Sequence, residues 1–138
     1  MDIVITLPKV LWLKIVSGEK LVEMRKWYLP SHFNRQTDCI YVVLKGTRRV
    51  AGFFKVVSVS GRIRKQAAWL EFGDGLGVSY EWFSKYWGED EKRMMYFFKI
   101  GDCHVSDPHF LIEVAHAPQK YTNVNEHIKY GFKGYHLI

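Results

Sequence analysis

Four residues near the start of the chain have the types and spacing to do chemistry: Gly18, Lys20, Glu23 and Arg25 of GEKLVEMR. Arginine offers a two-pronged donor fork and lysine a mobile point charge, so two cations flanking a carboxylate suit a phosphate or the polar edge of a base. Glu23 can hold Lys20 or Arg25 in place, or move protons. A lysine can also act as base or nucleophile while a carboxylate passes a proton to a leaving amine. The same residue types form ordinary ion-pair clusters beside helix ends, so binding, catalysis and plain surface pairing all stand open on these residues alone.

The surrounding sequence must position that group. Ile3 to Ile5 is a short β-branched run, Thr6 is an acceptable N-cap, and Pro8 suits a first helical turn. A helix is expected from about Pro8 to Ser17, with Leu11, Trp12, Ile15 and Val16 at helical spacing and Gly18 as a left-handed C-cap. Leu21 to Met24 reads as a strand. Its alternation puts Val22 and Met24 on one face and aims Glu23 and Arg25 the other way.

Trp27 to Gln36 has no period and reads as a loop, whose Trp27 and Tyr28 are candidate stacking surfaces for a base. Cys39 to Leu44 and Arg49 to Val59 read as two strands of a hairpin across Lys45-Gly46-Thr47, and Gly52 marks a bulge or a close backbone approach. Arg48, Arg49, Arg62, Arg64 and Lys65 flank the longer strand, where they can meet phosphates or simply solvate its ends. Arg64 to Phe72 is expected to be helical. The glycines of GDGLG at 73–77 predict a flexible connection, a rim or lid; they lack the spacing of a nucleotide-phosphate loop. A second helix should run from Ser79 to near Gly88, with Trp69, Trp82, Phe83, Tyr86 and Trp87 read as core. Strands are expected at about Met94 to Ile100 and Phe110 to Ala115, joined across Gly101 to Pro108, and Tyr135 to Ile138 suits an edge strand.

With 138 residues, 48% apolar and 16% aromatic, the chain suits one domain with a substantial core, which excludes a disordered tail or linker. Strands with few helices and no regular strand–helix alternation predict an α+β fold built on a small mixed β-barrel with flanking helices. The formal net charge is +6, and it is uneven: residues 1–65 carry 13 Lys or Arg against four acids, a net of +9, whereas 66–138 carry −3. Such asymmetry predicts a basic face and a polyanionic partner. Cys39 and Cys103 form no CxxC pair, no secretory leader precedes Pro8, and no apolar run reaches membrane-spanning length, so a reducing cytoplasm is the expected setting. The spacings of Cys103, His104, His109 and His116 match no zinc pattern, and neither a metal nor a cofactor is expected.

The run LWLKIVSGEKLVEMR, Leu11 to Arg25, resembles the signature of ASCH (activating signal cointegrator homology) domains, in which a helix leads into GxKxxExR. Gly18, Lys20, Glu23 and Arg25 all match, and CIYVV at 39–43 with VAGFFKVVSV at 50–59 look like the family's paired barrel strands. The resemblance implies a PUA-like β-barrel with a cleft lined by these residues, in a group thought to bind RNA. Some small bacterial members act as amidohydrolases on N4-acylated cytidines, and others are linked to RNA cleavage. In the amidohydrolase branch the motif lysine acts with a threonine, where this chain has Glu23, and with an acid from the loop between the two helices. That acid would correspond here to Asp74, or else Glu71.

Three function classes follow. The first is binding of RNA or a modified nucleoside through a cleft around Lys20, Glu23 and Arg25. The second is a hydrolase in the same cleft using Lys20 with Glu23 or Asp74, on an N4-acylated cytidine or on RNA. The third is a protein-interaction module whose basic face meets an acidic partner. Oligomeric state is left open.

Overall fold

The computed structural model describes residues 2–26 and 28–106, together with the backbone of Thr122 and Asn123. Its elements are β1 (Ile3–Leu7), α1 (Lys9–Ser17), β2 (Val22–Arg25), β3 (Ile40–Leu44), β4 (Val50–Arg64), α2 (Lys65–Phe72), α3 (Tyr80–Trp87), β5 (Met94–Val105) and β6 (Thr122–Asn123). The strands form one mixed sheet in the order β2-β5-β4-β3-β1-β6, with β1 parallel to β3 and the other neighbours antiparallel. The result is an α+β fold on a curled, half-closed barrel.

Two long strands produce the curl. β4 and β5 pair from Gly52 to Arg64 through three register shifts, and such irregularities bend a strand and increase its twist. Both strands outrun the sequence expectation: β4 continues to Arg64, and β5 passes straight through Gly101 and Asp102, where a connection was expected. Gly101 serves close packing rather than a turn, since a Cβ there would lie 2.8 Å from a Val57 methyl. Gly52 is a close approach of the same kind, because a Cβ would strike the His104 carbonyl and the Trp12 ring. The expected strands at Phe110 to Ala115 and Tyr135 to Ile138 lie outside the described residues.

Inside the curl, Ile3, Ile5, Ile40, Val42, Phe54 and Phe98 pack against Trp12 and Ile15 of α1. A second core joins the helices to the sheet: Phe83 and Trp87 of α3 and Ala68 of α2 meet Val22, Met24, Met95 and Phe97. Each fully buried side chain of this size contributes about 1.5–3 kcal/mol of transfer free energy. The N-cap of α1 is Pro8, extended at ψ 143°, and not Thr6, which stays in β1. Pairing of Thr6 with Val43 in the parallel ladder fixes it there. The second helix follows its expectation, with the Ser79 hydroxyl accepting the Trp82 N–H at 3.1 Å. No helix among the described residues is long and apolar enough to cross a membrane.

Candidate functional site

α1 ends at Gly18 in the left-handed conformation (φ 86°), and the chain folds back so that the Lys20 N–H reaches the Lys14 carbonyl at 2.9 Å. That reversal drives the Lys20 side chain inward, where it is 3% exposed. Its ammonium donates to the Val22 carbonyl at 2.7 Å and the Leu76 carbonyl at 2.9 Å, and lies 3.3 Å from Glu23 Oε1. An ammonium has three donors, and all three are matched.

β2 then sends Val22 and Met24 into the helix-side core and Glu23 and Arg25 to the opposite face, as the alternation predicts. Glu23 is buried and saturated as an acceptor. Oε1 takes the Met24 N–H at 3.1 Å as well as Lys20, and Oε2 takes Arg25 Nε at 3.1 Å and lies 3.0 Å from Arg25 Nη2. Burial by itself would raise the Glu23 carboxyl, but the charges of Arg25 and Lys20, with hydrogen bonds from Lys20 and Met24, more than offset that and hold it below its ordinary 4.5. Glu23 is therefore a carboxylate at neutral pH.

Arg25 crosses the open side of the barrel. From β2 its Nη2 donates to the Thr6 carbonyl of β1 at 3.0 Å, tying together two strands that the hydrogen-bonded ladder keeps three strands apart. The guanidinium faces a cleft of about 300 Å³ whose walls include Thr6, Leu11, Lys45, Leu76, Trp82 and Tyr86. Trp82 and Tyr86 stack on each other (centroids 5.2 Å apart, planes 9° apart), and the Lys26 ammonium lies 5.5 Å over the Tyr86 ring. Burial pushes the Tyr86 phenol up, with Arg25 opposing and Glu23 reinforcing the shift.

The 73–77 segment forms a rim, as expected, but not a loose one. Gly73–Gly75 is a 3₁₀ turn, and the carbonyls of Gly75, Leu76 and Gly77 accept from the Leu21 N–H (2.7 Å), Lys20 Nζ (2.9 Å) and Lys14 Nζ (2.7 Å). Three successive carbonyls fixed to α1 and to the α1–β2 connection make this rim part of the wall.

The structure thus brings Lys20, Glu23 and Arg25 together beside the Gly18 cap. Asp74 and Glu71 are exposed and do not line the cleft, nor do Arg48 and Arg49, exposed in the turn beyond Lys45. Tyr28 is also away from it, 57% exposed and edge-on to Tyr96 at 5.0 Å. Trp27 lies outside the described residues. Sequence reasoning missed Lys45, seen only as part of a turn, and it placed in the core both Trp82, which is exposed, and Tyr86, which is half-buried against the core while also lining the cleft. A signal for the cleft wall was present: α3 carries two aromatic i,i+4 pairs, Phe83 with Trp87 and Trp82 with Tyr86, and a two-turn helix fully buries only the first. Cys103 and His104 are successive residues of a strand, and His104 stacks on Phe53 at 4.6 Å; among the described residues no group of His, Cys, Asp or Glu could hold a metal. His109 and His116 lie outside them.

Crystal structures of ASCH from Zymomonas mobilis share this architecture. The unmodified protein matches with a TM-score of 0.61 and 21% identity over 96% of this chain and 81% of that one. Two mutant forms match at TM-scores of 0.61 and 0.63, each 20% identical, covering 91% and 96% of this chain and 75% and 84% of theirs. The fold is that of the ASCH domain. No protein-family model and no curated protein matches the sequence. Identity of this order carries the ASCH architecture, and what the cleft binds must be argued from its own side chains.

Proposed function

We propose that this ASCH-fold chain binds RNA or a modified nucleoside, with the base in the cleft that Arg25 borders. The observation carrying this reading is the pairing of walls in a space of about 300 Å³: a stacked Trp82–Tyr86 face and the guanidinium of Arg25. Aromatic faces accept any base by stacking, and a guanidinium held by two fixed acceptors offers directed donors to a base edge or phosphate. The basic excess of the first half of the chain, +9 over residues 1–65, favours a polyanion.

Hydrolysis in the same cleft is less well supported. Lys20 would have to abandon three acceptors before attacking anything, and Asp74 stands outside the cleft. The test is retention of single-stranded RNA and of a nucleoside panel including N4-acetylcytidine by the wild type and by Tyr86→Ala, with product analysis on the same samples. Retention that weakens in Tyr86→Ala, without product, is the expected result. Release of an acyl group or cleavage of RNA, lost in Lys20→Ala, would make the chain a hydrolase; retention of neither ligand would leave the interaction-module reading.

A further inference from the structure

The cleft's hydrogen-bonding capacity is lopsided. Every lone pair of Glu23 is taken by Met24, Lys20 and Arg25, and every ammonium proton of Lys20 by Val22, Leu76 and Glu23. Neither has anything left for a ligand. Among the described residues, the lining groups with capacity to spare are Arg25 Nη1, the Lys45 ammonium, the Trp82 indole N–H and the hydroxyls of Thr6 and Tyr86; the first three can only donate, and two of them are cationic. The charges do not cancel either. Of the ionised lining side chains, three are cations (Lys20, Arg25, Lys45) and one is an anion, Glu23, leaving two positive charges uncompensated. Lys26, over the Tyr86 ring, adds another at the mouth.

A site that offers donors and net positive charge, with its carboxylate already spent, favours a ligand that brings acceptors and negative charge. Resting on the base-binding reading above, we infer that the cleft selects a base carrying a phosphate over a neutral nucleoside, and that Lys45 is the residue that reads the phosphate. Lys45 is placed for this by the backbone: its N–H donates to the Leu7 carbonyl at 2.8 Å, pinning the start of the β3–β4 turn against the end of β1 at the cleft wall. Its side chain is exposed and supports nothing else among the described residues, so it can be altered without disturbing the Lys20–Glu23–Arg25 network. The phosphate can belong to a free nucleotide or to an RNA strand, since the recognising chemistry is the same.

The experiment is calorimetric titration of the full chain with cytidine and N4-acetylcytidine, each free and as the 5′-monophosphate, and with a short single-stranded oligocytidylate. The wild type is expected to bind the phosphorylated ligands roughly tenfold or more tightly than the matching nucleoside, an advantage that shrinks as salt is raised. Lys45→Gln should remove most of that advantage, and Lys45→Arg should restore it. A monophosphate preferred over the oligonucleotide would name a free nucleotide as the source; the reverse order would name an RNA strand. Nucleoside binding to which phosphate adds nothing, or a phosphate advantage that survives Lys45→Gln, overturns the inference and leaves the base-binding reading intact. Binding of none of these ligands overturns both.

Discussion

The two ends of the GEKLVEMR cluster differ sharply. At its buried foot, Lys20 and Glu23 are almost without solvent and every donor and acceptor they own is matched. At its mouth, Arg25 keeps one nitrogen unspent and stands with Lys45, Trp82 and Tyr86 around open space. The residues that look most catalytic in the sequence are the most occupied in the structure. A matched buried group is a fixture: its loss costs stability. A half-matched group at a cleft costs stability less and ligand affinity more. The motif therefore divides into a foot that ties β2 to the 73–77 rim and a mouth that borders the open cleft.

The sharpest way to break this division is at the foot. Glu23→Ala strands the Lys20 ammonium in the interior and frees Arg25 from the carboxylate that aims it, and removing one partner of a buried ion pair costs about 3–5 kcal/mol. Lys20→Met should cost less, about 1–3 kcal/mol, since Glu23 keeps Arg25 while the Val22 and Leu76 carbonyls lose a donor. Denaturant unfolding measures both. Wild-type stability in either variant would mean that the foot is not structural.

Acid probes the same foot more gently. With the folded carboxyl of Glu23 held below its ordinary 4.5, the unfolded chain takes up this proton at a higher pH than the folded one. The stabilisation is then complete above about 4.5 and drains away as pH falls through the lower, folded value. Unfolding free energy should fall more steeply across that window in the wild type than in Glu23→Gln, which has no proton to gain. Parallel curves would show that Glu23 is not held ionised by its neighbours.

At the mouth the expected balance reverses. Trp82 is 41% exposed and stacks on Tyr86, so Trp82→Ala should move stability little while weakening base binding by about 1–3 kcal/mol, the usual worth of one stacking partner. Titration of RNA against both proteins, with thermal unfolding alongside, separates the two effects. A variant that unfolds readily but binds normally would return Trp82 to the core, where the sequence had placed it.

Much of the foot was legible because local rules decide it. Gly18 ends a helix whose periodicity is plain, and strand alternation aims Glu23 and Arg25 together whatever the rest of the chain does. The mouth was not legible, because its walls arrive from distant segments. Lys45 comes from a hairpin turn and Tyr86 from the last turn of α3, and only the curl of β4 and β5 brings them to one place. Gly101 misled for a related reason: it answers to Val57 on the neighbouring strand, and nothing adjacent in sequence distinguishes that demand from a turn. The GDGLG rim looked loose since its glycines are visible in the sequence, whereas the donors that hold it, Lys14, Lys20 and Leu21, belong to another element.

The smallest expected effect falls on the residue that resemblance to amidohydrolases put forward and geometry did not. Asp74 sits in the 3₁₀ turn with its side chain in solvent, while the backbone of the same segment is held from beneath by Lys20 and Leu21. With the Gly75 and Leu76 carbonyls fixed in this way, the segment gives Leu76 to the cleft wall and leaves Asp74 exposed outside it. Asp74→Asn should therefore change unfolding free energy by no more than about 0.5 kcal/mol, as exposed substitutions do, and leave nucleoside and RNA affinity unchanged. Turnover of an acylated cytidine that disappears in Asp74→Asn would require the rim to break its hydrogen bonds to Lys20 and Leu21 and turn over during the reaction. That result would move Lys20 from the foot to the chemistry and erase the division between the two ends of the motif.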